Sequence, residues 1–142
     1  MIDKGKILLV EDEAINAMLL KRNMELMGYQ ICGPAATGEA AIQIAADEHP
    51  DVVLMDIRLA GKLDGIDAAR EIISQNPVPI IFLTGYMGQE NLNRMKEIRP
   101  VANLVKPISP DDILPVLDQL FNHRVQPLPS NGGNGHKPQQ VL

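Results

Sequence analysis

The sequence predicts an α/β fold built on a doubly wound, five-stranded parallel sheet with helices on both faces. Three observations carry this. Short apolar runs such as Ile7–Val10 and Val52–Met55 are continuous rather than alternating, as expected of strands buried on both faces. Segments with helical spacing alternate with these runs along most of the chain. Polar residues with evident chemistry follow the runs directly: Glu11-Asp12, Asp56, Thr84 and Lys106. In an open parallel sheet the carboxyl ends of the strands share one edge, where ligands bind.

Taken in order, Ile7–Val10 is the first strand, and Glu13 to about Met27 is a helix closed by Gly28. Tyr29–Cys32 is a shorter second strand that Gly33-Pro34 should end. Thr37 is the expected N-cap of a second helix running to Glu48, with Ala41, Ile44 and Ala45 inward and Pro50 stopping it. After Val52–Met55 a loop runs to Gly65, and a third helix from Ile66 to Gln75 carries Ile66, Ala69, Ile72 and Ile73 inward. Val78–Leu83 is the fourth strand. A weakly patterned fourth helix spans Gln89–Ile98, and Val101–Val105 is the fifth strand. Ser109 should cap the last helix, with Pro110 in its first turn and Asp111 and Asp112 on its positive end, and that helix runs to about Asn122. The domain is assigned to 1–124. From Val125 onward Pro, Gly, Asn and Gln dominate, so 125–142 is expected to be a flexible tail.

The 142 residues are 45% hydrophobic and 22% charged, an ordinary globular balance with enough apolar material for a full core. The core must be aliphatic, because there are two Phe, two Tyr and no Trp. A net charge of −5 argues against nucleic-acid or anionic-membrane partners, which need basic patches. No run of ~18 apolar residues offers a transmembrane span, and the N-terminus lacks an apolar signal region. Cys32 is the single cysteine, so an internal disulfide is excluded and a cytoplasmic setting is expected.

The residues after the strands make coherent chemistry together. Glu11, Asp12 and Asp56 offer carboxylate oxygens whose mutual repulsion calls for a hard divalent cation, namely Mg²⁺. Lys106 adds a compact positive charge and Thr84 a hydroxyl donor. A lysine, a hydroxyl and a metal beside three acids fit an arriving anion, and a phosphoryl group on Asp56 satisfies all of them, because an aspartate can act as nucleophile and form an acyl phosphate. Taken singly, Asp56 reads as a solvated loop acid, Glu11 as a capping acid, Thr84 as a turn residue and Lys106 as a surface charge. The convergence favours chemistry. No histidine has a catalytic case, and Cys32 reads as a small buried hydrophobe. On the first helix Leu20, Met24 and Met27 form a second apolar stripe beside Ile15, Leu19 and Leu26. Together they read as one broad core face, with a partner-docking patch as the alternative.

Over about residues 5–122 the sequence resembles the receiver domain of two-component response regulators. The resemblance rests on Leu-Leu-Val-Glu11-Asp12, Val-Leu-Met-Asp56, Gly65, Phe-Leu-Thr84-Gly and Leu-Val-Lys106-Pro107, in that order and each at a strand end or in the following loop. It implies the flavodoxin-like strand order 2-1-3-4-5. It also implies that Asp56 takes a phosphoryl group from a phosphohistidine on a histidine kinase or phosphotransfer protein. Mg²⁺ would be held by Glu11, Asp12, Asp56 and the backbone carbonyl of Arg58. Lys106 would pair with the phosphoryl group, Thr84 would donate to it, and the bond before Pro107 would be cis. Arg58 and Tyr86 occupy positions that tune phosphoryl lifetime in the family, and Tyr86 is expected to shield the group from water.

The sequence departs from the family pattern at Asn103, where an aromatic usually changes rotamer with the signal, and at Arg99-Pro100-Val101-Ala102, which stands in place of Gly-Ala. Both departures fall near a face often used for output, so a monomer or weak dimer is expected. The resulting reading is a stand-alone phosphoacceptor acting on a downstream protein, and not an enzyme beyond its own phosphorylation and dephosphorylation. A small phosphatase or phosphotransferase with an aspartyl-phosphate intermediate is the alternative, although Arg58 occupies the place of a second acid two residues after Asp56. A phosphorylation-independent pseudo-receiver is the third reading.

Overall fold

A computed structural model describes residues 4–85 and 88–125, the last three for backbone alone. Tyr86 and the tail beyond Val125 lie outside the described residues. The strands are β1 (Lys6–Val10), β2 (Gln30–Ala35), β3 (Val52–Asp56), β4 (Ile80–Thr84) and β5 (Ala102–Val105). The helices are α1 (Ala14–Leu26), α2 (Gly38–Glu48), α3 (Gly65–Gln75), α4 (Gln89–Ile98) and α5 (Pro110–Val125). All strand pairs are parallel, in the order β2-β1-β3-β4-β5, as the resemblance implies.

Side-chain alternation along the strands divides the core into two layers. Ile7, Leu9, Val52, Leu54, Ile81, Leu83, Ala102 and Leu104 face α1 and α5, where Met24, Leu117 and Phe121 meet them. Leu8, Val10, Val53, Met55, Ile80 and Phe82 face α2, α3 and α4, against Ala41, Ile66, Ile72 and Met95. Burial on both sides is why the strand sequences run apolar without a break.

Several elements differ from the sequence reading. Strand β2 does not stop at Gly33-Pro34 but continues through a cis bond there to Ala35. It is an edge strand with Pro34 exposed, so a missing N–H is tolerated. Leu8 pairs with Cys32 and Val10 with Ala35, so the extra residue is absorbed as a bulge. Strand β4 begins at Ile80 rather than Val78, and β5 at Ala102 rather than Val101. Thr37 caps α2 as expected, accepting from the Ala40 N–H at 3.1 Å. At α5 the roles are reversed. The Asp112 carboxylate reaches back to accept from the Ser109 N–H at 3.0 Å, while the Ser109 hydroxyl donates to the same oxygen at 3.4 Å.

The broad core face expected of α1 is also corrected. Ala17, Leu20 and Met24 are buried, but Ile15, Leu19 and Leu26 are 74%, 57% and 77% exposed, with Met18 beside them at 68%. Residues 15 and 17 differ by about 200° around a helix, so one stripe meets the sheet and the other cannot. Cys32 is half-buried, with its Sγ 3.6 Å from the Ile7 carbonyl.

Candidate functional site

Alternation also places the site residues. Glu11, Asp56 and Lys106 each lie two residues beyond a core leucine on the α1–α5 side, namely Leu9, Leu54 and Leu104. The pairing Leu9↔Leu54 carries β1 and β3 out in register, so Glu11 arrives beside Asp56. Glu11 is held at the end of β1 by its own N–H, which donates to the Ala35 carbonyl at 2.9 Å. Lys106 follows β5 directly, and its N–H donates to the Thr84 carbonyl at 2.7 Å.

At this edge the Lys106 Nζ lies 2.7 Å from Asp56 Oδ2 and 3.0 Å from Glu11 Oε1. The Glu11 side chain is fully buried and that of Asp56 is 5% exposed, so both carboxylates have left bulk water. Asp12 is exposed, yet Glu11, Asp12 and Asp56 each place a carboxylate oxygen within 4.8 Å of the others. Burial pushes the Glu11 carboxyl above its ordinary pKa and a hydrogen bond with Asp56 adds to this, against smaller opposing effects of the Glu13 amide and Lys106. For Lys106, burial alone would lower the ammonium pKa. The hydrogen bonds to Asp56 and Glu11 outweigh it, and the net shift is upward.

One lysine therefore serves carboxylates that still carry excess negative charge, and the oxygen-only donor set suits a hard cation such as Mg²⁺. The Arg58 N–H donates to Asp56 Oδ1 at 3.1 Å while its side chain is exposed. The bond before Pro107 is cis.

Thr84 completes the set that follows the strands. It is buried at the end of β4, but alternation places it with Phe82 on the α2–α4 side, paired with Val105. Glu11, Asp12, Asp56 and Lys106 form a tight group, and Thr84 ends β4, the strand between those that carry Asp56 and precede Lys106. Asn103 is buried opposite Phe82, and its Oδ1 has no hydrogen-bond partner among the described residues. It cannot swing a ring between inner and outer positions.

Two features escaped sequence reasoning. A cleft of about 510 Å³ opens beside the acids, lined by Glu13, Asn16, Leu19, Asn23, Pro107 and Ile108 among others, and runs into the exposed stripe of α1. An ion-pair cluster also joins α3 to α4: Arg94 contacts Asp64 and Asp67, and Arg70 contacts Glu97. Helical pattern alone does not reveal which charged faces of two helices meet.

No helix among the described residues is long and apolar enough to cross a membrane. Residues 7–118 match the family model of the response regulator receiver domain. The chain is 37% identical over 113 residues to the transcriptional regulatory protein PdtaR of Mycobacterium tuberculosis, covering 80% of this chain and 55% of that protein. It is 32% identical over 117 residues to the chemotaxis protein CheY of Thermotoga maritima, covering 81% of this chain and 96% of the relative. Among solved structures, the signal receiver domain of a modulated diguanylate cyclase from Desulfovibrio desulfuricans superposes with a TM-score of 0.79 at 32% identity, covering 85% of this chain and 96% of that one. The chain spans only about half the length of the first of these relatives. With the fold, the acidic edge and the matched span in agreement, the chain belongs to the response regulator receiver family of two-component signalling.

Proposed function

We propose that this receiver accepts a phosphoryl group on Asp56 from a phosphohistidine of a histidine kinase or phosphotransfer protein, and that the modification alters its binding to a downstream protein. The observation that carries this reading is Lys106 Nζ set 2.7 Å from Asp56 Oδ2 and 3.0 Å from Glu11 Oε1 at the edge of a parallel sheet. In the transfer an Asp56 carboxylate oxygen bonds to phosphorus as the phosphorus–nitrogen bond of the donor breaks, and the electron pair leaves with the imidazole. Lys106 then balances one phosphoryl charge, and Thr84 donates its hydroxyl to a phosphoryl oxygen. Glu11, Asp12, Asp56 and the Arg58 carbonyl would hold Mg²⁺, which when bound neutralises the carboxylates and the incoming phosphoryl oxygens.

Incubation with a small phosphodonor and Mg²⁺, followed by intact mass, tests the assignment. The wild type gains one phosphoryl group and Asp56→Asn gains none. Uptake that survives in Asp56→Asn would overturn the role of Asp56.

The exposed stripe Ile15, Met18, Leu19 and Leu26 supplies the donor's docking face, since its Leu19 lines the cleft that reaches Glu11 and Lys106, the partners of Asp56. Leu19→Glu should leave uptake from the small phosphodonor unchanged and slow transfer from a phosphorylated protein donor about tenfold or more, the effect of losing one buried anchor in an interface. Equal rates from both donors would place docking elsewhere.

A further inference from the structure

Helix α4 follows Thr84 in the chain and is fixed to the rest of the domain by Met95 and Ile98 in the core and by a set of charged contacts to α3. Met95 is its one fully buried residue. Arg94 makes the principal polar attachment: Nη1 lies 2.8 Å from Asp64 Oδ2, and Nη2 lies 3.1 Å from Asp64 Oδ1 and 3.0 Å from Asp67 Oδ1. This is a two-pronged contact that fixes orientation as well as distance. Arg70 and Glu97 add a second link between α3 and α4 at 3.2 Å.

The receiving end of this fork is the segment that carries the phosphoacceptor. Asp64 is the N-cap of α3, its side chain accepting from the Asp67 N–H at 2.9 Å. Burial alone would raise the Asp64 pKa, but the Arg94 hydrogen bond and its neighbours hold it below the ordinary carboxylate value, so the fork meets a charged group. The next residue, Gly65, donates its N–H to the Ile57 carbonyl at 2.7 Å and packs so closely on the Asp56 carbonyl that a Cβ would collide with it. A shift in the backbone of Asp56 or Ile57 therefore reaches Asp64 through packed backbone, and from Asp64 it reaches α4 through Arg94.

We propose that the Arg94 fork on Asp64 and Asp67 is the tether through which α4 responds to the state of Asp56, in a chain whose residue 103 has no ring to reorient. The inference rests on the phosphoacceptor reading of Asp56 and deepens it by naming the residue that carries the response. Arg94 is a positioning residue that touches neither phosphate nor metal.

The test loads the whole chain with beryllium fluoride and Mg²⁺ as a phosphoryl mimic. Fluorine NMR follows occupancy of Asp56, and hydrogen exchange of the amides of residues 90–98 follows α4. In wild type, loading changes α4 exchange by about fivefold or more, the scale of an ordinary coupling free energy, and in Arg94→Met the change falls below about twofold although Asp56 still loads. Asp64→Asn should behave as Arg94→Met does. Asparagine caps a helix as well as aspartate, so α3 stays intact and this variant decides the matter if Arg94→Met fails to fold. Arg94→Lys, which keeps the charge but loses the fork, should fall between. A merely structural salt bridge would speed α4 exchange by the same factor in both states and preserve the loaded-to-unloaded ratio, and that result overturns the tether. Failure of the wild type to load would instead overturn the phosphoacceptor reading, and the tether with it.

Discussion

Lys106→Met is expected to lower the stability of the folded chain by about 2–3 kcal/mol in metal-free buffer at pH 7, somewhat below the 3–5 kcal/mol usual for breaking a fully buried ion pair. The discount reflects the lysine's own partial exposure, 24% of its side chain. The methionine fills much of the same volume, so the loss is electrostatic rather than steric. What remains is Glu11 and Asp56, both buried, with Asp12 close by and no other ion pair to either acid among the described residues. Addition of Mg²⁺ should recover a larger share of stability in the variant than in wild type, because a ligand that binds only the folded state stabilises it by mass action and here also replaces the missing positive charge. Denaturant melts with and without Mg²⁺ measure both quantities. A variant as stable as wild type without metal would mean that the short contacts of Lys106 contribute little.

The same variant has a defined pH signature. The Glu11 carboxyl binds its proton more tightly in the folded chain than its ordinary value of 4.5, chiefly through burial, and Lys106 is one of the groups that restrain this rise. An acid whose folded-state pKa is raised loses stability as pH climbs from its unfolded pKa towards its folded one, because the folded state binds more protons in that window. Without Lys106 the rise is larger. The deficit of Lys106→Met should therefore be small near pH 4.5 and grow as pH increases to 7.

The strands were legible because continuous apolar runs have one economical explanation, burial on both faces. The acidic edge was legible because polar residues followed those runs directly. Other features were not legible. The two stripes of α1 are equally apolar, and only the packing of Ala17, Leu20 and Met24 on the sheet decides that Ile15 and Leu19 face outward. Asp64 and Arg94 are 30 residues apart on different elements, and their meeting depends on how α3 and α4 are rotated, which periodicity does not set. The continuation of β2 past Pro34 depends on its being an edge strand, a property of the assembled sheet and not of the local sequence.

Gly65→Ala should be the most damaging single-methyl change near the site. A Cβ on Gly65 would collide with the Asp56 carbonyl oxygen and lie 2.8 Å from the Ile57 Cα, and both neighbours are backbone. No rotamer change can relieve that contact, so either the N-terminus of α3 retreats or the Asp56 peptide tilts. The expected loss of stability is about 3 kcal/mol or more, the upper range for overpacking a rigid site. Gly38→Ala provides the contrast: its Cβ would meet the Leu63 and Ala68 Cβ atoms at 2.9 and 3.2 Å, so backbone must shift there too, but it is not the backbone of Asp56 or Ile57. Gly65→Ala should have a functional consequence of similar size. Tilting the Asp56 peptide turns its carboxylate away from Lys106, and a displacement of about 1 Å at a reacting group can lower a rate on the order of a hundredfold. Phosphoryl uptake from a small donor, measured at a temperature where the variant remains folded, should fall by that order while uptake by Gly38→Ala stays near wild type. If Gly65→Ala folds and is phosphorylated normally, the close packing of α3 against Asp56 is not what positions the phosphoacceptor.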